Sequence, residues 1–451
     1  MSVVQNAIQT YHALLTPEAA QDSQAHLDDQ MNLRGLFFGD RPLTTVLRPR
    51  FLSLEQYRYI RHRTQVLLQA FGKIHEMGLK DKIFREQFML LDWEHILVEH
   101  DPGFHTPTPI SRLDSFYIPE TNELRFTEYN AETPAAPAYN DVLTAVFFGL
   151  PVMRDFLRRY VLYTLPARHG ALHALMDAYQ QWAGRGEKPR VAIIDWSDVP
   201  TYSEFLLFQS YFKAQGLECI ITSPQKVEYI GGKLMAGDFH INLIFKRVLI
   251  SELIEQGGLE HPIVRAVLDN AVCMANPFNC KMLYKKASLA VLSDERNAYL
   301  FNAEETKAIA DHIPWTRKVE YRTTLHNGKP VDLIPYIVQN KDRLVLKPND
   351  DYGGRGIVLG WTVDYREWEQ AIKVALETPY IVQERINIPS EPYPSMIDNQ
   401  LHIFDRMLDT APFAFHGDTV YGCLTRLSTS ALLNVTAGGG STVPTFLVEE
   451  R

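Results

Sequence analysis

Two apolar runs, RVAIIDW from residue 190 and LECIITS from residue 217, flank a stretch around 202–215 whose apolar residues recur at helical spacing. Antiparallel strands can be joined by a tight turn, whereas parallel strands need a crossover of a dozen residues or more, usually a helix. Strand, helix and strand at this spacing therefore read as one βαβ unit of a doubly wound layer. A parallel sheet is covered by helices on both faces, so this part of the chain is α/β.

The remaining sequence divides around that unit. Residues 1–105 read as a helical region, with LSLEQYRYIRHRTQVLLQAFGKIHEMG carrying apolar residues at three- and four-residue spacing. From 106 the texture changes to SRLDSFYIPETNELRFTEYNAETPAAP, two alternating runs around a polar turn, followed by a helix in DVLTAVFFGLPVMRDFLRRY. This part extends to 183. GRGEKP at 184–189 is a linker into the βαβ part, 184–275, which also holds a hairpin turning at Gly231 and Gly232. From 276 to 451 short strands and helices alternate, giving the whole chain a mixed, α+β character.

Composition excludes some functions. Forty-five Lys and Arg against 54 Asp and Glu give a net charge of −9, with no basic cluster, so nucleic-acid binding is not expected. The opening MSVVQNAIQTYHALL has no basic segment leading into an apolar core, and no apolar run reaches the ~18 residues of a membrane span. Neither export nor membrane insertion is expected. The four cysteines, Cys219, Cys273, Cys280 and Cys423, form no CxxC pair and read as reduced thiols of a cytoplasmic protein.

The chemistry concentrates in two places. In LVLKPNDDYGGRGIVLG, residues 344–360, an apolar run closes on Lys347, a loop carries Gly353, Gly354 and Gly356, and a second apolar run follows. Glycines admit a backbone close to a ligand, and successive main-chain N–H groups converge on phosphate. The string GxxxxGK[ST] is absent, and a strand rather than a helix follows the glycines, so the loop is neither a Walker A nor a Rossmann turn. It reads as the tip of a hairpin lying over its ligand. Some 27 residues on, YIVQERI is an apolar strand ending in polar residues, whose backbone suits an adenine edge.

The second place is the hairpin of SRLDSFYIPETNELRFTEYNAETP. Centred on Thr121, it sets Asp114 opposite Glu128 and Arg112 opposite Asn130, all on one face. Opposed carboxylates repel unless something positive lies between them. A cation satisfies that need, and Mg²⁺ takes oxygen ligands from one or two carboxylates beside nucleotide phosphates. The alternative is a solvated hairpin whose charges never meet. His169 and His173 in RHGALHAL lack a third ligand, and DWEHILVEHD reads as a charged, exposed helix face.

EYNAETP preceded by RLD, together with the glycine hairpin, resembles the glutathionylspermidine synthetases and related circularly permuted ATP-grasp proteins. In ordinary ATP-grasp enzymes the metal signature follows the glycine loop, and here it precedes it by more than 200 residues. The similarity spans about 106 to the end, and the helical N-terminus lies outside it. The resemblance implies an ATP-grasp fold, circularly permuted, with a pre-ATP-grasp βαβ domain. It assigns Asp114, Glu128 and Asn130 to magnesium, Lys347 to the nucleotide phosphates, Gly353, Gly354 and Gly356 to their cover, and Gln383, Glu384 and Ile386 to the adenine hinge. Lys281 and Lys286, in NPFNCKMLYKKASLAVL, are implied as second phosphate contacts, with Lys285 competing for the role. The resemblance further implies that Arg426 meets the triphosphate before the terminal NVTAGGG segment and that Arg112 lies near the transferred group, with Arg355 expected to face either phosphate or water.

The activity so implied is ATP- and Mg²⁺-dependent carboxylate activation. The γ-phosphoryl group moves to a small-molecule or peptide carboxylate, and an amine displaces phosphate to give an amide, with positioning and charge neutralisation carrying the catalysis. A small-molecule kinase of the same fold and a non-catalytic nucleotide-binding protein are the rival expectations. Which acid and which amine are not readable, nor is the oligomeric state.

Overall fold

Alternating and helical hydrophobic periods sort the chain into helices packed around several sheets, a mixed α/β architecture, in a computed structural model that describes residues 2–184, 186, 188–350, 355–429 and 440–451. The βαβ unit forms as its sequence dictates. Strands Arg190–Ile194 and Glu218–Thr222 run parallel on either side of helix Tyr202–Ala214, whose Phe205, Phe208 and Phe212 are buried. Strands Leu243–Lys246 and Cys273–Ala275 complete a four-stranded parallel sheet. The Gly231 and Gly232 hairpin appears where the sequence places it, with both glycines at positive φ as a tight two-residue turn requires.

The acidic hairpin pairs Ile110–Ile118 with Glu123–Asn130 inside a nine-stranded sheet. Its register corrects one expectation. The turn is not centred on Thr121: Ile118 pairs with Glu123, leaving an even loop closed by Asn122 at φ +55°. A bulge at Asp114/Ser115 leaves Thr127 unpaired and restores the alignment beyond it, so that Asp114 still faces Glu128 and Arg112 still faces Asn130. An even loop alone would have split the face, and the bulge repairs it.

A four-stranded antiparallel sheet joins Leu344–Pro348, Val358–Leu359, Tyr380–Glu384 and Thr316–Lys318 over a core that includes Leu346, Trp368 and Val382. The run after the glycine loop yields only the two-residue strand Val358–Leu359 before a 3₁₀ turn. Gly360 is required there, since a Cβ at this position would stand 1.9 Å from the Lys341 carbonyl oxygen.

The N-terminal region is largely helical, with Leu54–Lys80 as its longest helix, but it also inserts a strand. Arg50–Leu52 pairs in parallel with Ser441–Glu450, tying the start of the chain to its end. Helix Asp92–Val98 is not the exposed charged face its sequence suggests, because Glu94 is buried against Lys285 at 2.7 Å. Apolar spacing does not distinguish a solvated carboxylate from one buried with a partner from a distant segment.

Candidate active site

Three sheets converge on a cleft of about 820 Å³. One wall is the face of the acidic hairpin, with Arg112, Asp114, Thr127, Glu128 and Asn130. The second is the antiparallel sheet, which contributes Val345, Lys347, Leu359, Trp361 and the strand end Gln383–Glu384 running on to Ile388. The third lies beyond the carboxyl ends of the parallel strands, where Asp195 and Arg247 follow Ile194 and Lys246. This is where open α/β sheets place their ligands.

A chain of charges lies along the hairpin wall. Arg112 donates through Nε to Asp114 Oδ1 at 2.8 Å, and Arg426 donates through Nη2 to Asp114 Oδ2 at 2.6 Å. Arg426 also donates through Nε to Asp409 Oδ2 at 2.7 Å, while its backbone N–H reaches Asp409 Oδ1 at 2.6 Å. Burial opposes ionisation of Asp114, yet the two guanidinium groups hold its carboxyl well below the usual range. Burial raises the Asp409 carboxyl against the pull of Arg426, with the nearby Asp114 charge adding to the rise. Asp409 carries no motif in the sequence. The signal that could have found it is a carboxylate after the apolar strand Gln400–Leu408, at the level of Arg426 on the neighbouring strand.

Across from these groups, Lys347 donates to Gln383 Oε1 at 2.7 Å and to the Thr127 carbonyl at 3.4 Å. Burial pushes its ammonium down to about 8, with Lys286 adding to the shift and Glu128 and Asp114 opposing it. Lys286 lies 3.2 Å from Glu128. The described lining therefore holds Arg112, Arg426 and Lys347 close to Asp114, Glu128 and Asp409, while Lys286 reaches Glu128 from outside the lining.

Lys281, another lysine of the Lys286 segment, is held by different partners. Lys281 is buried outside the cleft lining, paired with Glu132 at 3.2 Å and Asp350 at 3.0 Å. Although burial opposes its charge, these carboxylates and Glu94 raise its pKa. Lys285 likewise bonds Glu94 and Asp350. Both ammonium groups fasten Asp350, the last described residue before the glycines. Asn349 adds to that anchor, accepting from Ala287 N and donating to the Phe88 carbonyl. Gly353 and Gly354 lie outside the described residues, as does all but the last residue of NVTAGGG. Gly356 is described, at φ +66°, with its carbonyl accepting from the Tyr380 hydroxyl.

The hairpin is held to the parallel sheet by Asn276, whose Nδ2 donates to the Ile110 and Ala131 carbonyls and whose Oδ1 accepts from Ile110 N. At the far end of the cleft Asp195 is pushed up to about 6 by burial, against the pull of Arg247. Glu252 stands beside it, accepting from Trp196 Nε1 at 3.0 Å.

Among the described residues no three of His, Cys, Asp and Glu are grouped to hold a metal ion, and a hard cation on the hairpin face would draw on Glu128 and Asn130, since both Asp114 oxygens are bonded by arginines. Glu128 and Asn130 present side-chain oxygens beside Asp114, and the Asn130 Nδ2 is buried without a partner among the described residues. An orphaned amide nitrogen is equally drawn with the oxygen in its place, and that oxygen next to a carboxylate is a donor set for Mg²⁺.

No protein-family model matches the chain, and no curated protein matches it in sequence. Among solved structures it is similar to a glutathione synthetase like-effector, GSS30, from Globodera pallida in its apo form. The two share a fold at a TM-score of 0.60 and 11% identity, over 96% of this chain and 98% of that one. Among the described residues no helix is long and apolar enough to cross a membrane, and the four cysteines are free and buried.

Proposed function

We propose that the chain is an ATP-dependent carboxylate–amine ligase with a circularly permuted ATP-grasp fold. The observation that carries this reading is the cleft itself, in which a lysine strand, the segment 383–388 that continues an interior strand paired on both sides, and an acidic hairpin bearing arginines face one common space. The fold shared with a glutathione synthetase like-effector supports it.

On this reading Ile386 and the Gln383–Glu384 strand end take the adenine, and Val345, Leu359 and Trp361 supply apolar surface for the ring. Lys347 and Lys286 face the phosphates as point charges. Arg426 and Arg112 present planar guanidinium groups where the γ-phosphoryl group meets the acid, and positive charge there stabilises oxygen charge as it develops. Glu128, Asn130 and Asp114 would hold Mg²⁺, which would supply further neutralisation of the phosphate oxygens. The acid and the amine occupy the end of the cleft lined by Asp195, Arg247 and Glu252. A carboxylate oxygen attacks the γ-phosphorus with loss of ADP, and an amine nitrogen then attacks the acyl carbon and expels phosphate, losing a proton. No residue of the chain needs to form a covalent bond, consistent with a lining of cations, carboxylates and backbone.

The test is ADP release on addition of a fractionated metabolite extract with Mg²⁺ and ATP. The active fraction should yield an amide and phosphate together with ADP. Turnover of ATP to a stable phosphorylated alcohol would replace the ligase with a kinase, and tight ATP binding without turnover on any fraction would replace it with a nucleotide-binding protein.

A further inference from the structure

Arg50 sits in the N-terminal region, the part of the chain to which the sequence assigns no role. It is fully buried, in the short strand Arg50–Leu52. Its Nη1 donates to the Asp409 carbonyl at 2.6 Å and to Thr410 Oγ1 at 2.5 Å. Those two residues touch the reacting wall from both sides. Asp409 grips Arg426 through its backbone N–H and both side-chain nitrogens that face it, and Arg426 in turn grips Asp114. Thr410 exchanges backbone hydrogen bonds with Ser115, at 2.8 and 3.1 Å, at the bulge that re-aligns Asp114 with Glu128.

We infer that Arg50 is a positioning residue for this site, setting the Asp409–Thr410 corner so that Arg426, Asp114 and Arg112 hold one geometry. The role of the N-terminal region then includes bracing the site from behind. Two features support this over simple packing. Arg50 leaves its Nε and Nη2 buried without partners among the described residues, a cost that an apolar side chain of similar volume would not carry. Its acceptors are the two residues through which both strands of the charge chain are aligned, and not neighbours on its own strand. The part of the inference that concerns phosphate contact rests on the proposed ATP reading; the alignment of Arg426 does not.

The experiment uses the full chain, with Arg50→Lys keeping the charge but ending one atom short of the Nη1 that bonds both acceptors. Hydrogen exchange of the Arg426 Nε–H, read by NMR and assigned by its loss in Arg426→Lys, should speed up at least tenfold. The Arg317 Nε–H, bonded to Thr324 in another part of the fold, should exchange at its parent rate. Thr410→Val, a milder change of nearly equal volume, should give the same pattern to a smaller degree. An unchanged Arg426 rate in both variants, or an equal rise at Arg317, would overturn the inference by making Arg50 irrelevant to the site or merely structural. In parallel, the advantage of ATP over AMP in binding should fall about tenfold in Arg50→Lys with AMP affinity held. If the parent protein shows no such advantage, the nucleotide reading fails, and the exchange result still decides the role of Arg50.

Discussion

Nucleotide affinity should fall with rising pH through the range where Lys347 loses its proton. In the ligand-free protein burial holds this ammonium near 8, with Gln383 as its nearest acceptor at 2.7 Å. Phosphates brought against it favour the charged form, so binding raises the pKa and takes up protons. With the free group half-protonated near pH 8, binding at that pH should take up about half a proton per ATP, and affinity should fall about tenfold, or 1.4 kcal/mol, between pH 7 and 9. The sign for folding is opposite. The unfolded chain keeps its lysine protons up to about 10.4, so between 8 and that value it holds more protons than the folded one, and this lysine makes stability rise with pH. Calorimetric titration of ATP at pH 7, 8 and 9, in buffers of different ionisation enthalpy, reads both affinity and proton uptake. Lys347→Met should bind more weakly at pH 7 and lose the lysine's pH dependence. A parent affinity that is flat from pH 7 to 9, or an equal slope in Lys347→Met, would refute the assignment of this ammonium to phosphate.

Three further outcomes are expected. Glu128→Ala should abolish ADP formation with a melting temperature near that of the parent, because Glu128 is partly exposed and its loss opens no core cavity. Lys281→Met should cost roughly 3 kcal/mol in urea unfolding, because it strips a partner from buried Glu132 and from Asp350, whereas Lys286→Met should cost less stability. Gly360→Ala should destabilise by about 3 kcal/mol or more and change Trp361 fluorescence, since its Cβ would collide with the Lys341 carbonyl.

Local patterns were legible in the sequence, and distant pairings were not. The βαβ unit, the Gly231 and Gly232 turn and the strand of Lys347 follow from periodicity and turn residues alone. The alignment of Asp114 with Glu128 was readable only as a parity argument, and it survives through a bulge that no local signal announces. Asn276 and Arg50 were missed because each acts on residues more than 100 positions away along the chain, where spacing carries no information, and Asp409 because it meets Arg426, 17 positions on, only through the pairing of two strands. Lys281 shows the converse limit. Its position in a lysine-rich helix is the same whether the ammonium meets phosphate or Glu132, and only the fold brings Glu132 and Asp350 to it.

The central claim is that the phosphoryl group passes to a carboxylate which then becomes an amide, and isotope transfer tests it most directly. Once a fraction supporting ADP release has yielded its acid, that acid is labelled with ¹⁸O in the carboxyl group and turned over with ATP, Mg²⁺ and the amine. In the ligase the amine attacks the acyl carbon, so the activated oxygen leaves with phosphorus. Mass spectrometry should find one ¹⁸O in each inorganic phosphate released, in step with ADP and amide. Phosphate free of label, with ADP formed alongside a stable phosphorylated alcohol, would contradict the account.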